Sequence, residues 1–504
     1  MALLGIDLGT SSIKAVVYDE AGHQLALSRV PTPMTELPGG WAEYPADAVW
    51  QAVCQVLSGV TSQVPPQDIV ALAVTSMGEA GVPVDRAGKA LYPAIAWFDP
   101  RTTPQVEWWA ANVGQEKAYA ITGLSLNPIF SANKILWLRE NRPQVFRRMA
   151  KWLCMPDFII HRLSGQYATD YSTASRTLLL DLASRTWSRP LLKATGLGAK
   201  LFPPLYPSGT TVGQVHRQAA ADTGLRPGTL VVTGGHDHIC AALAWGVVEP
   251  GVLLDSVGTA EALLTPLAAP VLSPQGMAQG FNVGCHAAQD CYYIHGGLNF
   301  SGGGVAWILQ QVFGTAPQAD LDSILAQVAA VPPGANGLRY IPHLRGVLGL
   351  AGVTRQAALV GLRSQHSRPE LVRAVIEGLC YEARAITESL MAIAGAQVSQ
   401  VQCIGGGVRN RLWMRIKAAV YGKPLVVPTG PEEEEAALGA ALLAGMGARV
   451  YASQRQALAA VQLPRGIISP DQDWAERYQA LYAQYRQIEP LLAQVDQTLA
   501  RPVS

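Results

Sequence analysis

One short pattern occurs twice in this 504-residue chain, and it constrains the fold more than any other feature. Near the N-terminus, Ile6-Asp7-Leu8-Gly9-Thr10 closes the apolar run 3–7 with a Gly-Thr turn. In the middle, Asp255-Ser256-Val257-Gly258-Thr259 closes the run 252–256 in the same way. Gly-Thr turns are common, so a single copy carries little. Here each copy opens a stretch of similar size in which strand-like and helix-like segments alternate. The chain is too long for one ordinary core. Two related α/β halves facing each other across a cleft are the expected architecture.

The first half opens as a meander. After 3–7, Gly9-Thr10-Ser11-Ser12 turns the chain, 13–18 alternates as a second strand, and 24–30 follows the turn Asp19-Glu20-Ala21-Gly22 as a third. Residues 47–60 carry apolar positions at helical spacing, and 69–74 reads as a buried strand. In the second half, 369–388 keeps a helical stripe through Leu371, Val375, Leu379 and Ile386. The strand 398–404 runs into Gly405-Gly406-Gly407, with a helix from about Asn410. Residues 438–446 are a small-residue helix able to pack closely. The tail, 474–499, places Tyr478, Leu481, Tyr485, Ile488, Leu492, Val495 and Leu499 on one stripe, as in an amphipathic helix docked on the body.

Charge and composition remove whole function classes. The formal net charge is +1 with 15% charged residues, so the concentrated basic face of a nucleic-acid or acidic-membrane binder is missing. No run of about 18 apolar residues occurs, and MALLGIDLGTSSIK lacks a basic leader, so neither a membrane span nor a signal peptide is expected. The seven cysteines form no C-x-x-C pair, which points to a reducing compartment, the cytoplasm. The run Glu432 to Glu435 reads as a solvated helix start.

No P-loop, protein-kinase set or G-x-S-x-G elbow is present. Glycine-rich turns nevertheless follow a strand three times, at Gly9-Thr10, Gly258-Thr259 and Gly405-Gly406-Gly407. Such turns expose backbone N–H groups with no Cβ in the way, as a polyphosphate requires. Gly234-Gly235-His236-Asp237-His238 joins the strand-like 230–232 to the helix-like 239–245. Asp237 can be an N-cap there, a member of a metal set with its neighbouring histidines, or a general base held at a cleft. Asp7 ends the first strand just before a phosphate-type turn, where a carboxylate can hold magnesium against phosphate oxygens or be a buried hydrogen-bonded group.

These motifs resemble the FGGY carbohydrate kinases of the actin, hexokinase and heat-shock chaperone superfamily, over nearly the whole chain. One family signature is matched by Ala357-x-Leu359-x-Gly361-Leu362 followed, after seven residues, by Glu370-Leu371-x-x-Ala374-Val375-Ile376-Glu377. The other is nearly matched by Ser131-x-x-Lys134-Ile135-x-Trp137-Leu138, with Ile129 unusual at its opening position. The resemblance implies two ribonuclease-H-like domains facing across a catalytic cleft. Residues 1–246 would be the sugar-binding and first phosphate domain, and 247–504 the nucleotide-binding domain, with the helix at about 472–500 packed back on the body. It implies ATP and Mg2+ as cofactors and a small sugar or polyol as substrate, and leaves room for a homodimer. Asp237 is similar to the family's base and Asp7 to its magnesium-side carboxylate. Thr10, Ser11 and Lys14 would lie on one phosphate hairpin and Gly258 and Thr259 on the other. Gly303 would line the nucleotide cleft, and Gly406, Gly407 and Asn410 the adenosine site.

On the sugar side the resemblance implies Met77, Glu79, Trp97, Asp99 and Asp237. Xylulokinases usually carry Met-His-Gly where this chain has Met77-Gly78-Glu79. Glycerol kinases carry Arg-Glu, so Glu79 stands in place of a polyol-binding carboxylate without the arginine. Trp97, Asp99 and Arg101 fit the Trp-x-Asp-x-Arg stretch of the xylulokinase type. A Trp face suits the apolar side of a sugar, and carboxylates accept hydrogen bonds from its hydroxyls, although Trp97 can also be read as core. A ketopentose such as xylulose is the expected substrate, with ribulose, glycerol or a tetritol as alternatives. A chaperone-like ATPase and a non-catalytic sugar/ATP-binding sensor are the readings from other classes.

Overall fold

A computed structural model of the chain describes residues 1–315, 321–348, 354–430, 434–461 and 463–499. The first strand, β1 (Ala2–Leu8), is buried along its whole length, which a run of ALLGIDL tolerates because only Asp7 brings a charge. It pairs antiparallel with β2 (Ser12–Tyr18), and β2 pairs antiparallel with β3 (Gln24–Pro31). After helix α1 (Ala46–Thr61), β4 (Ile69–Ser76) joins β1 in parallel. Helix α2 (Ser131–Asn141) follows, and then β5 (Leu230–His236) joins β4 in parallel and leads into α3 (Asp237–Ala244).

The second half repeats this plan. β6 (Val252–Val257) pairs antiparallel with β7 (Glu261–Leu267), and β7 with β8 (Tyr292–Leu298). On the other side β6 takes β9 (Gln400–Ile404) in parallel, and β9 takes β10 (Leu425–Pro428) in parallel. Each sheet therefore reads third, second, first, fourth, fifth strand, with two antiparallel and two parallel pairings. The first sheet gains an edge at Thr211–Gln214, the second gains edges at Asn282–Cys285 and Arg465–Ile468. The twofold pattern expected from the two Gly-Thr turns is thus a repeat of whole sheets, each opened by a hairpin.

Four helices of the second half matter for the site: α4 (Arg368–Ala394), α5 (Arg411–Tyr421), α6 (Glu435–Gly447) and α7 (Gln472–Leu499). The signature residues of α4 do packing work. Ser367 and Glu370 form its capping box, and buried Glu377 accepts from Arg373 Nε (2.8 Å), Tyr478 Oη (2.7 Å) and Gly334 N (3.1 Å). Tyr478 and Tyr485 dock α7 as the apolar stripe predicts, but the stripe's end differs: Val495 and Leu499 stand in solvent.

Helix α6 departs from the expected division at 246/247. It belongs to the second half by sequence yet packs on β1, β4 and β5 of the first sheet. Its small residues permit this. A Cβ on Gly5 would lie 1.9 Å from the Ala437 carbonyl oxygen, and one on Gly439 would lie 1.9 Å from that of Cys240. Backbones at that separation admit glycine alone.

Candidate active site

The first hairpin carries Asp7 on its rising strand. Asp7 is opposite Lys14 on β2 and beside Thr75 on β4. Gly9 N donates to Ser12 O at 3.1 Å, closing the turn, while Thr32 Oγ1 donates to Gly9 O at 2.7 Å and braces it. Ser11 is exposed and Thr10 half-buried at the tip. Asp7 is buried, and its Oδ1 has no hydrogen-bond partner among the described residues. Burial, with Asp237 as the next cause, pushes its carboxyl up to about 7. A carboxylate that is buried, beside a second acid and short of a donor is a fitting ligand for a divalent cation.

Asp237 stands at the next strand end. Gly234 and Gly235 let β5 approach β4 and Ser172: a Cβ on Gly234 would lie 2.0 Å from Val74 O, and one on Gly235 would lie 2.8 Å from Ser172 Oγ. His236, not Asp237, takes the N-cap position of α3, and Asp237 is the first helical residue. Its Oδ1 accepts from His238 N at 2.7 Å, and His236 Nε2 lies 3.3 Å away. Burial pushes the Asp237 carboxyl up. Burial, together with His238, Arg176 and His295, holds the His236 imidazole well below its usual range, so it is neutral. No metal set forms from 236–238 among the described residues.

The second hairpin gathers the other glycines. Gly258 N donates to Ala260 O at 2.9 Å. Ser301 N and Gly303 N donate to Thr259 O at 2.8 and 3.1 Å, and Gly302 N donates to Gly258 O at 2.9 Å. From the other side, Gly405 (φ +86°) and Gly407 abut Val257: their Cβ atoms would lie 2.8 Å from its carbonyl oxygen and 2.4 Å from its Cγ1. Gly406 is exposed, and Asn410 caps α5 by accepting from Trp413 N at 3.0 Å. The glycines let these turns pack backbone to backbone, forming a glycine-rich cradle with the Arg409 guanidinium beside Gly406. A small void between the halves is lined by His238 from one and Ser256, His295 and Ile404 from the other.

Beneath the cradle lies a buried ionic cluster with no counterpart in the sequence reading. Lys417 Nζ donates to Asp255 Oδ2 (2.5 Å) and Glu261 Oε1 (2.8 Å), and Ser301 Oγ donates to Glu261 Oε2 (2.5 Å). It joins α5, both strands of the second hairpin and, through Ser301, the start of the short helix Gly302–Trp307.

The sugar-side residues do not all face the cleft. Met77 is buried, its N donating to Leu8 O at 3.0 Å. Trp97 is 37% exposed and not core, and its Nε1 donates to Thr10 Oγ1 at 3.0 Å, tying it to the phosphate hairpin. Asp99 differs from expectation. It is buried, and its oxygens accept from Ala42 N (2.7 Å) and from Arg101 N, Nε and Nη2 (2.9, 2.9 and 2.7 Å), so it anchors the Trp97 loop and offers no free acceptor. Arg101 is in turn stacked on Trp41.

Glu79 sits in a left-handed conformation, φ +67°. Ser131 Oγ and Lys134 Nζ, both from the signature on α2, donate to its carbonyl at 2.8 and 3.3 Å. Burial pushes the Lys134 ammonium down to about 8. Arg176 Nε donates to Glu79 Oε1 at 2.6 Å. Nothing in the sequence marked Arg176, 97 residues away. The solvated reading of the acidic run also fails at Glu434, which is buried and receives Lys14 of the first hairpin and Arg29. Glu432 and Glu433 lie outside the described residues.

Two repeated sheets, a hairpin at the head of each, with buried acids at the strand ends of the first and glycine-rich turns at those of the second, define a two-domain kinase fold of the actin/hexokinase type. Residues 2–244 match the N-terminal domain, and 253–448 the C-terminal domain, of the FGGY family of carbohydrate kinases. The chain belongs to that family and is a sugar kinase. It is 30% identical to a xylulose kinase of Bacillus subtilis, over 96% of each chain. It is 28% identical to an L-fuculokinase of Escherichia coli O157:H7, over 91% of this chain and 95% of that one. The solved xylulose kinase of Rhodospirillum rubrum superposes with a TM-score of 0.90 at 28% identity, over 99% of this chain and 100% of the other. Among the described residues no helix is long and apolar enough to cross a membrane.

Proposed function

We propose that the chain moves the terminal phosphoryl group of ATP to a hydroxyl of a ketopentose such as xylulose, with Asp237 as general base. The observation that carries this reading is the placement of Asp237 on the first turn of α3, mostly buried but reachable from solvent, with Oδ1 held by His238 N. A carboxylate pushed up by burial is a better proton acceptor than a solvated one. His236 holds the Asp237 side chain from one side, and Gly78 makes room for it: a Cβ there would lie 3.0 Å from the His236 ring. The imidazole that xylulokinases place in Met-His-Gly is thus missing at 78, while one stands against Gly78 from the neighbouring strand.

The Gly258-Thr259 turn, Gly303 and Gly406-Gly407 form the nucleotide side, with Asn410 fixing the helix start beside it; Thr10, Ser11 and Lys14 present donors from the opposite hairpin. Asp7 would hold magnesium, which when bound would neutralise phosphate charge. Trp97 closes the hairpin over the sugar and helps exclude water, which would otherwise compete as acceptor.

A second reading is a polyol or a different sugar, favoured by Glu79. Its left-handed backbone suits the glycine that xylulokinases carry there, and a glutamate holds that conformation at a cost of about 1–2 kcal/mol. Arg176 supplies from elsewhere in the chain the arginine that glycerol kinases carry beside their glutamate. Coupled ADP release with Mg·ATP against D- and L-xylulose, D- and L-ribulose, glycerol, erythritol, xylitol, fuculose and gluconate separates the readings. Turnover on xylulose supports the first, and turnover confined to polyols the second. ATP binding without turnover on any acceptor would overturn both.

A further inference from the structure

A second ligand set lies in the nucleotide-binding half, where the C-terminal helix meets the body. His343, just past the strand Arg339–Ile341, Glu382 on α4 and Glu489 on α7 bring one ring nitrogen and two carboxylate oxygens within 4.8 Å of one another. His343 is only 6% exposed, and its Nε2 is buried with no hydrogen-bond partner among the described residues. A buried imidazole nitrogen left unpaired costs free energy that a ligand would return. Each carboxylate has one oxygen engaged: Glu382 Oε2 accepts from Tyr485 Oη at 2.6 Å, and Glu489 Oε1 receives Arg355. Buried Asp496 adds a third acid beside His343, so among the described residues three carboxylates stand against two guanidiniums, Arg355 and Arg486. The pocket is therefore short of positive charge as well as of a partner for Nε2.

We propose that His343, Glu382 and Glu489 bind a divalent cation of the borderline class, such as Zn2+, Mn2+ or Co2+. One nitrogen and two oxygens suit these ions, whereas Mg2+ prefers oxygen alone. Three protein ligands leave a coordination position for water. The ion would pin three separate segments together at Glu489, the residue before Pro490, where α7 lacks a backbone donor. It would also steady the segment after His343. Arg345 lies 4.5 Å over the Phe300 ring, and a Cβ on Gly303 would lie 2.1 Å from that same ring. The set thus braces the loop behind the glycine cradle from outside the reacting groups, and no covalent or redox step is involved.

The test is titration of the metal-free full-length chain with Co2+ under saturating Mg2+, which occupies oxygen-only sites. Uptake is read by visible d–d absorption and calorimetry. One equivalent is expected, with a higher Tm, and both signals should disappear in His343→Gln and weaken at least tenfold in Glu382→Gln. Asp7→Asn should keep them, separating this ion from one at the catalytic cleft. Glu489→Gln, at a partly exposed position, serves as a further variant should either of the first two fail to fold; it too should lose the signal. No uptake by the wild-type chain, or uptake unchanged in the folded ligand variants, would overturn the proposal.

Discussion

Arg176 reaches one carboxylate oxygen of Glu79 with two nitrogens: Nε and Nη2 stand 2.6 and 2.5 Å from Oε1. Both of these contacts go to Oε1, leaving Oε2 outside the fork, and both side chains are buried. Arginine therefore fixes the glutamate and leaves it one acceptor to spend on a hydroxyl. A charged hydrogen bond of that kind is worth about 1.5–3 kcal/mol. Glu79→Gln is expected to raise the sugar KM roughly tenfold to a hundredfold while leaving the ATP KM within about twofold. Steady-state kinetics with each substrate varied in turn decides this, and an unchanged sugar KM would remove Glu79 from the sugar's contacts.

Asp237→Asn keeps the shape of the first turn of α3 and removes the proton acceptor. Turnover is expected to fall at least about a hundredfold, with nucleotide binding nearly intact by titration. Near-normal turnover would take the base role from Asp237.

Asp7 makes the metal-free protein sensitive to pH. Its ordinary value is 3.8 and burial lifts it to about 7, so the folded state keeps a proton that the unfolded chain has released. The favourable share is complete below about pH 4 and is lost as pH rises through 7. By pH 8 the penalty is on the order of 4 kcal/mol. Metal-free Asp7→Asn is therefore expected to melt several degrees above wild type at pH 8 and to differ little at pH 4. Added Mg2+ should raise the wild-type Tm at pH 8 and leave the variant's where it was.

Lys417 is the only cation that the described contacts give to Asp255 and Glu261. Against the pull of burial, those two acids hold its ammonium well above the usual range. Lys417→Met leaves both acids buried without compensation and is expected to cost about 3–5 kcal/mol, read as a shift in the urea midpoint. Burial already pushes Asp255 up to about 7, so the loss should shrink as pH falls below about 7, where that acid takes up a proton.

Much of this protein was legible in its sequence. The continuous apolar run around Gly5 reads as a buried strand, and each Gly-Thr turn closes a strand of the repeated sheets. Asp7, Asp237 and the three glycine turns were readable because each sits at a strand end, where local chain direction alone brings it to the rim of a sheet. The long stripe of α4 and the tyrosines of α7 were readable from their period. Contacts between distant segments were not. Asp99 and Glu79 both read as acids able to accept from a sugar hydroxyl, yet one is consumed by Arg101 and the other is held by Arg176. Glu434 belongs to an acidic run that looks solvated, and it became an internal ion partner because α6 crosses to the first sheet.

The sequence determined the periodicities, the glycines and the local capping, because those depend on residues within a few positions of one another. Only the tertiary structure decided which charges face each other, since electrostatic partnership is set by distance in space and by burial. Arg176 against Glu79, Lys417 between two acids and His343 beside Glu382 and Glu489 each join segments that only packing brings together.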